Sequence, residues 1–339
     1  MARAFAILKA LARAVWRDQR SLESVVGNNF FIVSALLLQE AGGFIYLLIG
    51  LVLLFPLSTD PLRKIPASRL ALWPLDRADR RFLRAASPWV SPAAWLVLGL
   101  AIWAARGRLT AGLWGLAAGL VIAGFLLSDL PFSPGRRIWL AIPNFPGVWN
   151  QLVRKNLRGM LSTLDLYCAI LLTAAAIAFR IAGVLPREGF LALTVLVQVA
   201  LSSYAQSLFG LDGRSGRQRY RLLPLRGWQV LFAKDAAFLS AAILLALPLA
   251  PLAGTGAALV ALAMGHEPSI NRPRIQSRWR FSSGGSIIFG LVQAAAMGGA
   301  ASAIYFTSPL FLAACVAAWA GSLWYYGRLI EGAGLADGE

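Results

Sequence analysis

Long apolar segments separated by short basic ones are the feature that most constrains how this chain can fold. They lie near residues 28–57, 91–105, 109–128, 160–184, 189–209, 228–250, 252–265, 284–306 and 308–327. A helix needs ~20 mostly apolar residues to cross the hydrocarbon core of a bilayer. The segments therefore predict an all-α, polytopic membrane protein in which each pass is a helix.

The composition agrees with this prediction. Hydrophobic residues make up 58% of the chain and charged residues 14%, against about 45–50% and about 25% in soluble domains. The formal net charge is +17, which in a soluble chain would suggest a nucleic-acid partner. Here the basic residues lie in the short segments between apolar runs, as cytoplasmic loops do. Nucleic-acid binding is therefore not expected.

The first apolar segment, residues 28–57, is too long for one pass and has Gln39-Glu40-Ala41-Gly42-Gly43 at its centre. Glycine permits a turn, and a lipid-facing glutamate in mid-membrane is costly. Treating 28–40 and 43–57 as a hairpin places all five basic segments on the cytoplasmic side. This choice predicts ten passes with both termini inside, whereas a single tilted helix would place seven bases outside.

The proline-bearing stretch 129–159 divides the predicted passes into two unequal bundles. The first, residues 28–150, has four passes and the basic loop 58–90, and the second, residues 151–330, has six passes. Residues 1–27 alternate bases with apolar residues at helical spacing, and they lack a secretory apolar core followed by a cleavage site. They predict an amphipathic helix on the cytoplasmic membrane surface, in contact with lipid.

A short basic element occurs once in each half of the chain. Residues 69–85 align with residues 219–235, and the matching positions are Arg69, Leu72, Pro74, Leu75, Phe82 and Arg84 with Arg219, Leu222, Pro224, Leu225, Phe232 and Lys234. Apolar side chains on a short solvent-side segment among arginines need a partner surface, either lipid headgroups or protein. The duplication predicts a partner that docks from the cytoplasmic side.

The second copy lies in the loop 210–227 and resembles a known family. Its features are Gly210, Asp212, Gly213 and Arg217, then Leu222-Leu223-Pro224, then Lys234 near the start of the next pass. They are similar to the loop between the second and third passes of ABC-2 type transport permeases, the membrane subunits of ATP-binding-cassette exporters. The residue before the lysine is Ala233, where that family often has glycine.

The resemblance implies that the loop 210–227 couples the chain to a separate ATPase subunit. The implied coupling residues are Asp212, Gly213, Arg217, Arg219, Arg221, Leu222, Leu223, Pro224 and Lys234. The first-half copy, with Arg69, Leu72, Pro74 and Leu75, is the expected second coupling element. The resemblance also implies export across a bacterial inner membrane, by a homodimer or a pair with a related permease.

Catalytic residues are not expected on this chain. The sequence has no GxxxxGK[ST] phosphate-binding loop, so ATP and Mg²⁺ are expected on the partner and no cofactor here. Its single histidine, His266, stands beside Glu267 in the predicted basic loop 266–283. A membrane-embedded enzyme would need a cluster of carboxylates or histidines. That class therefore remains a minor alternative.

Polar residues inside the apolar segments are functional candidates by default. Gln198 and Gln293 either line a transport path or bond a neighbouring helix, and Glu40 either faces outer-side water or binds an ion. An ion-coupled secondary transporter is the main alternative function, because such proteins use ionisable residues at mid-membrane in both halves. The second half offers no evident counterpart to Glu40.

Overall fold

The computed structural model describes most residues in the second half of the chain and some in the first half. They are residues 2–17, 28, 62, 65, 69–70, 72–90, 147–183, 186–212, 220, 225–272, 275–276, 281–284 and 286–336. Within them every regular element is a helix. The predicted hairpin 28–57 beyond Asn28, including Glu40, and the predicted passes 91–105 and 109–128 lie outside the described residues.

The chain divides into two compact units. One comprises Met1–Val25 with Ala35–Pro134, and the other comprises Val26–Ser34 with Gly135–Glu339. This division falls earlier in the chain than the boundary predicted at residue 150, although it lies within the proline-bearing stretch 129–159.

Among its described residues, the first unit has two short helices around a small apolar cluster. Helix α1 spans Ala2–Arg17, helix α2 spans Arg77–Ala86, and a 3-10 turn, Ser87–Val90, follows α2. Ala4 of α1 and Leu83 of α2 are buried with Leu62. Part of the apolar face of α1 is thus covered by protein, while Phe5 on the same helix is largely exposed. The predicted helix of residues 1–27 is described over Ala2–Arg17, and residues 18–27 are not described. Its contact with a membrane surface stays a prediction.

Among the described residues of the second unit, the short amphipathic helix α3, Val148–Met160, is followed by six longer helices. They are α4 (Leu164–Ile181), α5 (Arg187–Ala205), α6 (Gly227–Ala246), α7 (Pro251–Asn271), α8 (Ile287–Ser302, extended by a π-helical turn Ala303–Thr307) and α9 (Phe311–Ala336). Four of them, α4, α5, α6 and α8, are long and apolar enough to cross a membrane. That α7 and α9 also cross it stays a prediction.

Helix α7 is the central helix of the second unit and packs against α5, α6, α8 and α9. Small residues allow this close packing: a Cβ atom at Gly254 would lie 2.4 Å from the Cβ of Ala246, and one at Gly265 would lie 2.7 Å from the carbonyl oxygen of Ala205. Because protein rather than lipid surrounds α7, its polar residues can be bonded by neighbouring helices.

The predicted end of α7 is wrong, because neighbouring helices bond the polar residues of this helix. The apolar segment 252–265 and the basic loop 266–283 imply an end before His266, whereas α7 continues to Asn271. His266 is therefore on a helix, and its side chain is fully buried. Its bonds to other helices offset the cost of burying a polar group.

Candidate functional site

Only part of the predicted coupling loop lies within the described residues. Asp212, Tyr220 and Lys234 are described, whereas Gly213, Arg217, Arg219, Arg221, Leu222, Leu223 and Pro224 are not. The loop leaves α5 through a tight series of turns, in which the amide of Gly210 donates to the carbonyl of Ser207 and that of Asp212 to the carbonyl of Phe209. These turns bring the Asp212 carboxylate back towards the start of α6.

Asp212 forms a buried ion pair with Lys234 on α6. The Lys234 Nζ lies 2.6 Å from Asp212 Oδ2 and also donates to the carbonyl oxygen of Leu208 at 2.8 Å. Both side chains are almost completely buried, with 4% of Lys234 and 7% of Asp212 exposed. A buried ammonium group needs both a counter-charge and further acceptors, and the turns that follow α5 supply them. The sequence motif therefore pairs the loop with the following helix.

Two further side chains complete this arrangement, which we call the Asp212 anchor: Lys155, Asp212, Tyr220 and Lys234. Lys155 on α3 lies 2.8 Å from Asp212 Oδ1 and donates to the Tyr220 hydroxyl at 2.9 Å. That hydroxyl donates to Asp212 Oδ2 at 3.0 Å. The anchor thus joins α3, the end of α5, the loop at residue 220 and α6.

Electrostatics favour the ionised form of Asp212 within the anchor. Burial alone would raise the pKa of its carboxyl, but the ammonium groups of Lys234 and Lys155 outweigh burial and hold that pKa below its usual value. Burial and the Asp212 charge both raise the pKa of the Tyr220 hydroxyl, so it remains a neutral donor. The Lys234 ammonium also lies 4.5 Å from the ring centroid of Phe209, within the range of a cation–π contact.

Sequence reasoning selected Asp212 and Lys234 as members of one motif but did not select Lys155. Lys155 is 57 residues from Asp212 in the chain, and no local pattern links the two. The available signal was a lysine on the amphipathic helix α3, which precedes the long apolar helix α4.

The first-half copy of the motif has a different environment. Leu75 packs against the apolar cluster of the first unit, while Leu72 is 82% exposed. Arg69 and Pro74 are also exposed. The guanidinium of Arg80 on α2 donates to the carbonyl oxygens of Leu75 and Trp73 at 3.2 and 3.4 Å, respectively. This copy is thus held by helix α2 and presents an apolar and a basic side chain outward.

The predicted intramembrane glutamines both bond neighbouring helices. Gln198 on α5 donates to the carbonyl oxygen of Ala242 on α6 at 3.0 Å. Gln293 on α8 donates to that of Ala261 on α7 at 2.8 Å and accepts from Gln206 at 2.6 Å. Among the described residues, the Gln198 Oε1 atom is buried with no hydrogen-bond partner.

A buried carboxylate at the first turn of α4 organises a second polar group. Asp165 accepts hydrogen bonds from the amide and the hydroxyl of Ser282 at 2.9 and 2.7 Å, and from the Asn28 side chain at 2.9 Å. The Asn28 side chain also donates to the carbonyl oxygen of Ser282. These bonds tie the segment before α8 to α4.

A third polar group, which we call the His266 cluster, lies between α6, α7 and α9. It comprises Asp235, His266, Trp319 and Ser322, and both Asp235 and His266 are fully buried. Sequence reasoning did not select Asp235 and treated His266 as a loop residue. The available signal was a Lys-Asp pair inside the apolar segment 228–250. Within the part of the chain that the structure describes, no group of three or more His, Cys, Asp and Glu residues could hold a metal ion.

Comparisons with protein-family models, with curated proteins and with solved structures gave no match to this chain. The helical membrane fold and its polar groups therefore carry the functional inference.

Proposed function

We propose that the chain is the membrane subunit of an ATP-driven ABC exporter. In this proposal a separate ATPase subunit binds ATP and Mg²⁺ and docks on the cytoplasmic loops of the chain in a bacterial inner membrane. The loop 210–227 then transmits the closure of the ATPase to the membrane helices. Two copies of the chain, or the chain and a related permease, form the path for a substrate.

The Asp212 anchor is the observation that carries the proposal. A loop that only connects two helices needs no ion pair with the helix that follows it. Here a buried ion pair attaches the loop to α6, and a charge-assisted bond from the half-exposed Lys155 attaches it to α3. A push on the loop would thus act directly on two helices of the second unit instead of being absorbed by loop motion.

The order of elements around the anchor supports the same function. An amphipathic helix, α3, precedes the six longer helices of the second unit, and the anchored loop follows the second of them. The position of the loop after the second of six helices is what the resemblance to ABC-2 permeases implies. The exposed Leu72 and Arg69 of the first-half copy would provide a second contact with the ATPase.

Reversing the charge of the loop arginines tests the proposal. We expect the variant R217E/R219E/R221E to insert in the membrane but to lose stimulation of the partner ATPase, because an attractive basic contact becomes repulsive. The ATPase rate should fall to that of the partner alone. The measurement is ATP hydrolysis in proteoliposomes.

The matched control is R217K/R219K/R221K, which keeps the positive charge and should retain most of the stimulation. An R217E/R219E/R221E protein that exports normally with the full ATPase response would exclude these residues as the coupling element.

One observation favours the second candidate function, an ion-coupled transporter. Asp235 and His266 place two ionisable side chains deep in the second unit, where the sequence showed no counterpart to Glu40. Intramembrane ionisable pairs are common in ion pathways. A chain that purifies without an ATPase and transports in response to an ion gradient would support this candidate over the first.

A further inference from the structure

Hydrogen bonds connect all four side chains of the His266 cluster. His266 Nε2 lies 3.1 Å from each carboxylate oxygen of Asp235, and His266 Nδ1 lies 2.8 Å from the Ser322 hydroxyl. The indole N–H of Trp319 donates to Asp235 Oδ2 at 2.8 Å. Every polar atom of the imidazole and the carboxylate therefore faces a partner.

The direction of each bond follows from the donors available. Ser322 has one hydroxyl hydrogen, and its oxygen lies 2.8 Å from the carbonyl oxygen of Ala263, which can only accept. With its hydrogen donated there, Ser322 Oγ can only accept from His266 Nδ1. The Asp235 carboxylate likewise accepts a hydrogen bond from His266 Nε2. Both ring nitrogens then donate, which requires a proton on each.

We propose that the His266 cluster is a proton-binding site within the helix bundle. The proton is bound as an imidazolium between the Asp235 carboxylate and the Ser322 hydroxyl. The proposal is independent of the proposed export function, because it rests on the contacts of α6, α7 and α9 and not on the cytoplasmic loop. It gives the buried pair a zero net charge when the proton is bound.

Release of the proton uses the same atoms. When a water molecule enters beside Nδ1, the Nδ1–H bond breaks and the proton passes to that water, leaving its electron pair on Nδ1. The Ser322 hydroxyl then turns, breaks its bond to the Ala263 carbonyl and donates to Nδ1. Nε2–H and Trp319 keep their bonds to Asp235. The cluster changes from zero net charge to one buried negative charge, which is costly in a bilayer interior.

Other charged and titratable groups on the surrounding helices contribute to the electrostatic potential at this site. They are Lys234 beside Asp235 on α6, Glu267 on α7 itself, Cys315, Tyr325, Tyr326, Arg328 and Glu331 on α9, Glu188 and Tyr204 on α5, Tyr305 in the π-helical turn of α8, and Arg154, Lys155 and Arg158 on α3. The nearest cation in sequence, Lys234, is already paired with Asp212. Bonded compensation of the Asp235 charge therefore comes from His266 and Trp319.

The same three residue types form the triad of acyl-transfer enzymes, but this geometry does not suit that reaction. In the serine-protease template Nε2 faces the serine and Nδ1 the carboxylate, whereas here the two nitrogens are exchanged. The Ser322 hydroxyl donates to a backbone carbonyl instead of to the base. The full burial of His266 also leaves no access for a substrate carbonyl.

The protein offers a selective probe of the site, because His266 is its only histidine. Labelling with [15N]histidine gives one imidazole, whose nitrogen resonances distinguish the imidazolium from each neutral tautomer. In the full chain in lipid bilayers we expect both nitrogens to carry protons at pH 7. A resonance of a nitrogen without a proton would overturn the proposal.

Two variants sharpen the test, since they should give opposite neutral tautomers. In Asp235→Asn the counter-charge is removed, so His266 should be neutral at pH 7 with its proton on Nδ1, donating to Ser322. In Ser322→Ala the acceptor for Nδ1–H is removed, so the proton should remain on Nε2, facing Asp235. Ser240→Ala, on an exposed part of α6, should leave the spectrum unchanged. Identical spectra for all four proteins would contradict the proposal, and the unaltered protein alone decides it where a variant does not fold.

Discussion

Replacing Asp212 by alanine is expected to lower the free energy of unfolding by about 3–5 kcal/mol, the range for breaking a buried ion pair on one side. The change leaves the Lys234 ammonium, which is 4% exposed, without its counter-charge. The side-chain oxygen of Asn156, the carbonyl of Leu208 and the ring of Phe209 remain as partners, and they cannot neutralise a full charge. Reversible unfolding of the purified protein in mixed detergent micelles measures the loss.

A double-mutant cycle separates the unpaired charge from general damage. Lys234→Met should restore part of the lost stability in the Asp212→Ala background, because it removes the uncompensated ammonium. Lys155→Met is the control: its side chain is 51% exposed, and exposed pairs contribute at most about 1 kcal/mol. If Asp212→Ala costs no more than Lys155→Met, the buried ion pair does not stabilise the protein.

The stabilising contribution of Asp212 should depend on pH in a defined direction. The pKa of Asp212 is lowered in the folded protein, so its stabilising contribution is complete above the ordinary aspartate value of about 3.9. The contribution is lost as the pH falls through the lower folded value. The difference in stability between the unaltered protein and Asp212→Ala should therefore shrink at acidic pH.

Replacing Gly265 by alanine should also destabilise the protein strongly. The added Cβ would lie 2.7 Å from the carbonyl oxygen of Ala205 and 2.8 Å from its carbonyl carbon. These are backbone atoms of α5, so relief requires the two helices to separate. Overpacking of this kind costs about 1–3 kcal/mol, and Gly265→Leu should prevent folding.

Gly299 on α8 supplies the matched control, because an added Cβ there would have nothing within 4 Å. Gly299→Ala should leave the stability unchanged or raise it by up to about 1 kcal/mol, since alanine favours the helix. Thermal unfolding of both alanine variants in one detergent makes the comparison. Equal stability of the two would show that α5 and α7 are not in close contact at Gly265.

Hydropathy predicted the helices of the second unit because a lipid-facing helix must be apolar along most of its length. It failed at the end of α7, where the helix is surrounded by protein and its polar residues bond to other helices. His266 illustrates the difference, since Asp235 is 31 residues away in the chain and Ser322 is 56 residues away. No local pattern encodes such contacts.

The residues of the candidate site were likewise predictable only where they are close in sequence. The local motif identified Asp212 and Lys234, because a loop and the start of the following helix are close in sequence. It could not identify Lys155 on α3 or show that Asp212 lies between two lysines, which depends on how three helices pack. Similarly, Gln198 and Gln293 were recognisable as polar residues in apolar segments, while their acceptors on α6 and α7 depend on helix packing.

Affinity purification of the tagged full chain in mild detergent, with identification of the proteins that accompany it, tests the proposed export function most directly. We expect a stoichiometric ATPase that carries a phosphate-binding loop, retained by R217K/R219K/R221K and lost from R217E/R219E/R221E. A chain that purifies without any ATPase, even after cross-linking in native membranes, would contradict the proposal.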